Sequence, residues 1–284
     1  MQEGLASRTA HRVALRRAAH QILDDPKIFD DPIALRIVEA EDAPAAQEYL
    51  RQNEAASRSP ALRTMMVVRS RIAEDALHEA VAAGVRQYVI LGAGLDTFAY
   101  RNPYPADRLR VFEVDHPATQ AWKRAHLART GIAVPASLVF AAVDFEQQTL
   151  ADGLATARFA ADQPAFFSWL GVVPYLTTDA VLATLAFVAS LPRGSGIAFD
   201  YPGDPADASP ERRAAHEALR ARVARAGEPF RSSFRPDELA AQLRALGFSR
   251  LIDEGSDEMN ARWCAGRSDG LVVAGLSRMM RAWV

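Results

Sequence analysis

The sequence is poor in thiols: Cys264 is the single cysteine among 284 residues, so no internal disulfide bond can form. One thiol also falls short of the ligand set of a structural zinc site. The six histidines show no pair at the helical spacing typical of metal ligands, so we assign no metal. A chain without disulfide bonds suits a reducing compartment, and we expect a cytoplasmic protein.

An excess of charge of one sign and a long apolar run are lacking too. Lys and Arg total 33 against 35 for Asp and Glu, a formal net charge of -2, so no global field attracts nucleic acid or an anionic membrane. The longest apolar stretch, near residues 166–176, contains Ser168 and Pro174 and is far shorter than the roughly 20 residues of a membrane helix. The start around Glu3 has no apolar segment typical of a secretory signal. We expect no nucleic-acid or membrane partner, and either a monomer or a homodimer.

Strand patterns are missing from the first part of the chain. Apolar residues recur at helical spacing through residues 5–23, 33–38 and 62–81. We therefore predict that residues 1–84 form a helical N-terminal cap segment.

From residue 85 onward, short apolar runs alternate with helical patterns, which predicts a parallel sheet with right-handed crossovers. The predicted strands lie at 87–92, 109–114, 137–143, 165–169 and 196–199, with helices at 117–129, 177–191, 211–225 and 236–247. Two further strands, 248–253 and 271–276, follow without a long helix between them and are predicted to pair antiparallel. Residues 85–284 thus predict an α/β, Rossmann-like core with a mostly parallel seven-stranded sheet. An insertion at about 202–230 is predicted over the carboxyl edge of the sheet, where ligands bind in such folds.

A glycine-rich loop, Gly92-Ala93-Gly94-Leu95-Asp96-Thr97, directly follows the first predicted strand. Glycine lets the backbone turn tightly and approach a ligand, and a helix beginning just beyond would add N–H donors. Position 97, where a dinucleotide fingerprint would have its third glycine, is threonine, so nicotinamide dinucleotide binding is not indicated. An ordinary turn with Asp96 and Thr97 capping a helix is the alternative.

Carboxylates end the next two predicted strands. Asp115 lies about 20 residues past Gly94, the position expected for a ribose ligand. Glu113 lies along the same face of the strand and stays an alternative ligand. After the third strand, Asp144 could accept a hydrogen bond from an adenine amino group while the ring of Phe145 packs on the base. In this order the three elements indicate an adenosine pocket.

The sequence resembles the leucine carboxyl methyltransferase-like class I S-adenosylmethionine-dependent methyltransferases over about the first two-thirds of the chain. The motifs that carry the resemblance are Ser7-Arg8-Thr9-Ala10, Phe29-Asp30-Asp31-Pro32, Arg69-Ser70-Arg71, the segment from Ile90 to Thr97, Glu113-Val114-Asp115-His116-Pro117, Val143-Asp144-Phe145 and Tyr175-Leu176-Thr177.

The resemblance implies S-adenosyl-L-methionine as the cofactor. It implies that the glycine loop, for which we include Ala93 and Asp96, borders the methionine part. It also implies that Asp115 holds the ribose and that Asp144 with Phe145 holds adenine. An arginine ahead of the first strand pairs with the cofactor carboxylate in the family. Arg69 is the better match and Arg71 the alternative, because a guanidinium suits a carboxylate.

The sequence departs from the family at Leu170, where many members have a glutamate five residues before the tyrosine that matches Tyr175. This loss favours an apolar or aromatic contact near the methyl group, so Trp169 joins the predicted cofactor site. It also makes methylation of protein phosphatase tails, the activity of the family's namesake, a poor guide to the acceptor.

No catalytic residue can be assigned from the sequence, although His116, Tyr175 and Tyr201 are candidates. Methyl transfer from a sulfonium needs mainly alignment, and a carboxylate acceptor needs no base, whereas a hydroxyl does. Asp200 ends the fifth strand and either contacts the acceptor or caps a turn. We expect O-methylation of a carboxylate or hydroxyl of a small organic acceptor. The alternatives are an NAD(P)-dependent Rossmann oxidoreductase and a non-catalytic protein that binds an adenosine cofactor.

Overall fold

The computed structural model describes residues 5–39, 44, 48, 60–145, 147–225, 227 and 229–284. The start of the chain around Glu3, most of residues 40–59 and positions 226 and 228 of the insertion lie outside these ranges. The side chains of Ser7 and Arg8 are not described either.

The strands assemble into a single sheet. They are β1 (Gln87–Leu91), β2 (Arg110–Asp115), β3 (Leu138–Ala142), β4 (Ala165–Trp169), β5 (Gly196–Pro202), β6 (Arg250–Glu254) and β7 (Ser277–Trp283). Their order is β3-β2-β1-β4-β5-β7-β6. Strands β1 to β5 are parallel, whereas β7 runs antiparallel to both β5 and β6. This confirms the predicted fold class, including the antiparallel C-terminal pair.

Helices flank the sheet. They are α1 (Leu5–Leu23), α2 (Pro60–Ala82), α3 (Pro117–Arg129), α4 (Leu150–Thr156), α5 (Thr178–Ala189), α6 (Pro210–Arg225), α7 (Pro236–Leu246) and α8 (Ser256–Trp263). The N-terminus of α5 is capped by Thr177, whose side chain accepts a hydrogen bond from the backbone N–H of Ala180 (3.3 Å). Among the described residues, no helix combines the length and apolarity needed to cross a lipid bilayer.

Both faces of the sheet are covered, which explains the apolar strand sequences. Strand β1 is buried along its whole length. One face packs against α2 through Ala73 and Leu77. The other face packs against α5 and α7 through Leu185 and Leu239. Because β1, β2, β4 and β5 are parallel, their carboxyl ends lie at the same edge of the sheet. In such folds ligands bind at this edge.

The N-terminal segment reaches this edge. Helix α1 packs on α2, and Arg17 Nη2 donates a hydrogen bond to the carbonyl of Leu95 in the glycine loop (2.5 Å). Thr97 Oγ1 donates to Oδ2 of the buried Asp31 (2.7 Å). The loop after β1 is thus braced by residues far away in the sequence.

The predicted strand at 271–276 is wrong. The last strand begins at Ser277, and residues 271–276 have no strand pairing. Arg278 and Arg281 interrupt the apolar pattern of β7, but both are neutralised by β6: Arg278 Nε lies 3.1 Å from Asp253 Oδ2 and Arg281 Nη2 lies 2.6 Å from Glu254 Oε2. A strand that contains charged residues paired with a neighbouring strand cannot be predicted from apolar runs alone.

The predicted helix at 33–38 is also wrong in length. Only one turn of 3-10 helix, Arg36–Val38, forms there, after a turn over residues 32–35. The short helix α8 between β6 and β7 was not anticipated by the sequence pattern.

Candidate functional site

The glycine loop leaves no room for side chains at its two glycines. Gly92 and Gly94 have φ values of +66° and +43°, a region that L residues rarely adopt. A Cβ on Gly92 would lie 2.4 Å from Cγ2 of Val172, and one on Gly94 would lie 3.0 Å from Cβ of Ala10. The loop is therefore enclosed by α1 on one side and by the segment after β4 on the other.

No helix follows the loop, contrary to expectation. A single turn of 3-10 helix, Phe98–Tyr100, follows instead. Asp96 Oδ1 accepts a hydrogen bond from the N–H of Phe98 (2.8 Å). A ligand at this edge would thus meet loop N–H groups and side chains instead of a helix N-terminus.

Asp115 is fixed beside the loop at the end of β2. Its Oδ2 accepts a hydrogen bond from the N–H of Gly94 (2.7 Å), and its Oδ1 accepts one from the N–H of His116 (2.8 Å). Partial burial raises the pKa of this carboxyl, although both backbone donors oppose the rise. Each oxygen keeps acceptor capacity for a further donor, so Asp115 can bind a hydroxyl group at the edge of the loop.

Glu113 is sealed in the interior. The residue is fully buried, and its Oε2 lies 2.7 Å from Nζ of Lys123. The hydroxyl of Tyr100 donates to the same oxygen (3.4 Å). Burial raises the pKa of Glu113 to about 7. The structure argues against the alternative that Glu113 binds ribose, because its carboxylate is buried, pairs with Lys123 through Oε2 and does not reach the surface.

Arg69 and Arg71 point to opposite sides of α2, since residues two apart on a helix do not share a face. Arg69 is buried, and its Nη1 donates to Oδ2 of Asp200 (3.0 Å) at the end of β5. Arg71 is 44% exposed, pairs with Asp75 (2.8 Å) and lies over the ring of Trp263. The structure therefore favours Arg69 and argues against Arg71 as a residue of the site.

Asp200 connects Arg69 to the segment after β4. The N–H of Gly171 donates to Asp200 Oδ1 (2.5 Å). Trp169, the last residue of β4, pairs with Phe199 in the sheet register, and Asp200 is the next residue of β5. The sequence analysis gave two alternative roles for Asp200, contact with the acceptor or capping of a turn. It did not predict the ion pair with Arg69.

The two aromatic residues predicted for the cofactor site differ in exposure. Phe145, in the loop after β3, is 61% exposed, whereas Trp169 is 3% exposed and packs in the core against Phe199. Asp144 Oδ2 accepts a hydrogen bond from Nε2 of Gln147 (2.8 Å). The ring of Phe145 is therefore accessible to a planar group, whereas Trp169 belongs to the buried core of the sheet.

Among the three candidate catalytic residues, Tyr201 is a core residue. It is 1% exposed, and its hydroxyl donates to Asp253 Oδ2 (2.7 Å). Burial raises its pKa far above the ordinary value. The structure argues against a proton-transfer role, because the hydroxyl is enclosed and its partner is a structural carboxylate.

His116 and Tyr175 lie nearer the surface. His116 caps α3, with Nδ1 accepting a hydrogen bond from the N–H of Ala118 (3.2 Å). Tyr175 packs edge to face against Phe230, with ring centroids 5.5 Å apart. Neither contact assigns a catalytic role.

The insertion brings two further residues to this edge that no sequence signal identified. His216 of α6 is 6% exposed, and its ring lies 6.0 Å from that of Phe230. Burial lowers the pKa of His216, and Arg220 adds to the effect. The N–H of Arg231 donates to the carbonyl of Pro174 (2.7 Å), which ties the insertion to the segment after β4. A small cavity of about 60 Å³ is lined by His216, Arg220, Phe230, Arg231, Ser232 and Ser233.

A larger cavity, of about 320 Å³, lies at the opposite edge, where β1 and β2 begin, and includes Gln87 and Arg110. It is remote from the glycine loop. Within the part of the chain that the structure describes, no group of three His, Cys, Asp or Glu side chains could hold a metal ion.

The chain is similar to known proteins over most of its length. A family model described as leucine carboxyl methyltransferase matches residues 10–189. The chain is 32% identical over 291 residues to YktD of Bacillus subtilis (strain 168), which is named as an S-adenosyl-L-methionine-dependent methyltransferase, and the match covers 95% of each protein.

Two solved structures resemble the fold. One is a DUF574 family protein from Streptomyces avermitilis MA-4680, with a TM-score of 0.53 and 18% identity, matching 94% of this chain and 96% of that one. The other, from Thermobifida fusca YX, is described as a methyltransferase and has a TM-score of 0.53 and 17% identity, matching 94% and 93%. At these identities the likeness shows the fold alone.

Proposed function

The chain belongs to the leucine carboxyl methyltransferase family, and from this premise we propose that it transfers a methyl group from S-adenosyl-L-methionine to an oxygen of a small organic acceptor. That it is an S-adenosylmethionine-dependent methyltransferase follows from the family and from its relatives. This argues against the oxidoreductase and the non-catalytic alternatives. The acceptor and the atom that is methylated are the parts we propose.

The residues at the carboxyl edge of the sheet fit this cofactor. The observation that carries the fit is Asp115, a carboxylate oriented by two backbone N–H groups beside two tightly enclosed glycines at positive φ. We propose that Asp115 binds the ribose hydroxyls and that the exposed ring of Phe145 packs on adenine beside Asp144. Arg69, Ala93 and Asp96 would border the methionine part.

When bound, S-adenosylmethionine supplies a methyl group that is activated by its sulfonium leaving group. The protein must then hold the acceptor oxygen in line with that methyl group, and positioning of this kind can lower a barrier by roughly 7–11 kcal/mol. We propose that the N-terminal segment 1–84 and the insertion 202–230 cover the acceptor, because both contact the segments that enclose the glycine loop.

The residues around Phe230 support an acceptor that is aromatic and acidic. The rings of Tyr175 and Phe230 can pack on an aromatic group, and Arg220 and Arg231 line the adjoining cavity. A carboxylate that these cations attract is already ionised at neutral pH and needs no base. If the acceptor is a hydroxyl, His216 is the residue we expect to take its proton, since its lowered pKa keeps the imidazole neutral.

Calorimetric titration tests the cofactor site. We expect S-adenosylmethionine and S-adenosylhomocysteine to bind the wild-type protein, and Asp115→Ala to weaken both by about 100-fold through the loss of hydrogen bonds to a charged acceptor. Asp75→Ala is the matched control, because Asp75 lies on the outer face of α2 with Arg71. Equal affinity in Asp115→Ala and wild type would contradict the proposed site.

A screen with isotopically labelled methyl groups tests the acceptor. Aromatic carboxylates, phenols and amines are compared, and labelled products are treated with alkali. We expect products that release labelled methanol, because methyl esters hydrolyse in alkali whereas aryl ethers do not. His216→Gln should leave ester formation unchanged and slow only phenol methylation. Methylation of amines alone would contradict the proposal.

A further inference from the structure

A buried ion pair joins α2 to the end of β5 beside the glycine loop. Arg69 Nη1 and Asp200 Oδ2 are 3.0 Å apart, and the two side chains are 7% and 9% exposed. Taking two charges out of water costs several kcal/mol per ion. A pair at this place in the fold therefore calls for a reason beyond stability.

The guanidinium of Arg69 lies flat against Gly171. A Cβ on Gly171 would be 2.9 Å from both Nη1 and Nη2, so only glycine allows this approach. The structure records one hydrogen bond from this guanidinium to the described residues, the bond to Asp200. Since a guanidinium carries donors on all three nitrogens, Arg69 can receive a second carboxylate without giving up the first.

The pair is continuous with the glycine loop. Asp200 Oδ1 accepts a hydrogen bond from the N–H of Gly171. The next residue, Val172, occupies the space where a side chain on Gly92 would lie. A ligand seated over the loop thus meets Arg69 and Asp200 at the side that faces β4 and β5.

Three other described carboxylates at this edge have partners other than Arg69. Glu113 pairs with Lys123, Asp96 accepts from the N–H of Phe98, and Asp115 accepts from the N–H of Gly94. The partner of Asp200 in the sheet register is the apolar Met279 of β7, and the residue that follows β4 is the apolar Leu170. Asp200 is therefore the carboxylate that adjoins Arg69.

A free α-amino acid end carries a carboxylate and an ammonium only a few bonds apart, and burying either without a partner is costly. We infer that Asp200 accepts hydrogen bonds from the ammonium of the cofactor's methionine moiety, while Arg69 binds the carboxylate beside it. The four charges then alternate in sign. This inference rests on the proposed function, which locates the cofactor at this edge.

Three ligands separate this role from a structural one. They are S-adenosylhomocysteine, its analogue with hydrogen in place of the amino group, and 5′-methylthioadenosine, which lacks the amino acid end. The ratio of the affinities for the first two ligands measures the contribution of the ammonium group, because they differ only in that group. A disturbance of Arg69 lowers the affinity for both ligands equally. The third ligand reports the adenosine pocket alone.

In the wild-type protein we expect S-adenosylhomocysteine to bind about 10- to 100-fold more tightly than the deamino analogue, as for a hydrogen-bonded charge. In Asp200→Asn this ratio should fall to within about threefold. The matched control, Arg69→Gln, should weaken both ligands and leave the ratio unchanged. All three proteins should bind 5′-methylthioadenosine equally.

A wild-type ratio preserved in Asp200→Asn overturns the inference but leaves the proposed function standing. Loss of 5′-methylthioadenosine binding in Asp200→Asn also overturns it, because the effect is then structural. If Asp200→Asn does not fold, the affinity ratio of S-adenosylhomocysteine to the deamino analogue is measured on the wild-type protein alone. A ratio near one overturns the inference, and a large ratio supports it. A wild-type protein that binds none of the three ligands would instead contradict the proposed function.

Discussion

Two buried ion pairs flank the glycine loop, Glu113 with Lys123 on the β2 side and Arg69 with Asp200 on the β5 side. The first is closed: Lys123 Nζ also donates to the carbonyl of Asp96 (3.0 Å), and the pair is fully enclosed. In the Arg69–Asp200 pair, the guanidinium makes one recorded hydrogen bond to the described residues and keeps further donors for a ligand.

The difference follows from the two cations. An ammonium is a compact charge with three donors, whereas a guanidinium is a planar fork with more donors than one carboxylate can take. Lys123 Nζ contacts Glu113 Oε2 and donates to the carbonyl of Asp96 in the loop, and it lies 5.3 Å from the centre of the Tyr100 ring. We therefore interpret the enclosed Glu113–Lys123 pair as a brace of the loop, and the Arg69–Asp200 pair, whose guanidinium keeps donors for a second carboxylate, as a binding site.

The largest expected effect is on the closed pair. Lys123→Met at pH 8 should lower the free energy of unfolding by about 3–5 kcal/mol, because Glu113 is left buried without a cation and must either stay charged or take up a proton that the unfolded chain does not hold at this pH. Arg69→Met should cost only about 1–2 kcal/mol, since Asp200 keeps its hydrogen bond from Gly171. Urea denaturation without cofactor measures both.

The double variant Glu113→Gln with Lys123→Met is the control for the closed pair. Removing both charges should recover most of the stability, since a buried pair contributes little over neutral groups of similar volume. Equal losses for Lys123→Met and Arg69→Met would mean that the two pairs do not differ.

Gly92 lies in the glycine loop between the two ion pairs. Gly92→Ala should cause the next largest loss of stability. The new Cβ would overlap Val172 and would sit at a positive φ, which together should cost about 2–4 kcal/mol and weaken cofactor binding. Adding Val172→Ala should remove the overlap and leave about 1–2 kcal/mol for the backbone conformation. Thermal unfolding and S-adenosylhomocysteine affinity measure the two effects. No rescue by Val172→Ala would contradict the role of that contact.

The sequence predicts those parts of the site that are local in the chain. The first five strands are apolar runs, and the glycine loop and Asp115 follow directly from strand ends. The prediction fails where a side chain depends on a distant partner: Arg278 and Arg281 enter β7 only because β6 supplies Asp253 and Glu254.

The family resemblance favours Arg69 over Arg71, but the chemistry of the residues alone predicts neither their orientation nor the contacts made by the insertion. Arg69 and Arg71 have the same chemistry, and only the packing of α2 against β5 turns Arg69 inward. Likewise, His216 and Phe230 meet Tyr175 through the return of the insertion to Pro174. No spacing in the sequence signals either arrangement.

The smallest expected effect is a pH dependence that belongs to the closed pair. Burial raises the pKa of Glu113 from 4.5 to about 7, even though Lys123 acts in the opposite direction. Between these values the folded protein holds a proton that the unfolded chain has released. The contribution of Glu113 to the free energy of unfolding should therefore be largest below pH 4.5 and should fall, by about 1–3 kcal/mol, as the pH rises to 7.

Urea denaturation from pH 4.5 to 8 on wild type and Glu113→Gln measures this slope, because glutamine does not titrate. Asp115→Asn is the matched control: burial also raises the pKa of Asp115, so this variant should remove a separate slope of the same sign. Identical slopes in wild type and Glu113→Gln would mean that Glu113 is ionised throughout. Lys123 would then outweigh the cost of burial, and the Glu113–Lys123 pair would owe its stability to charge attraction.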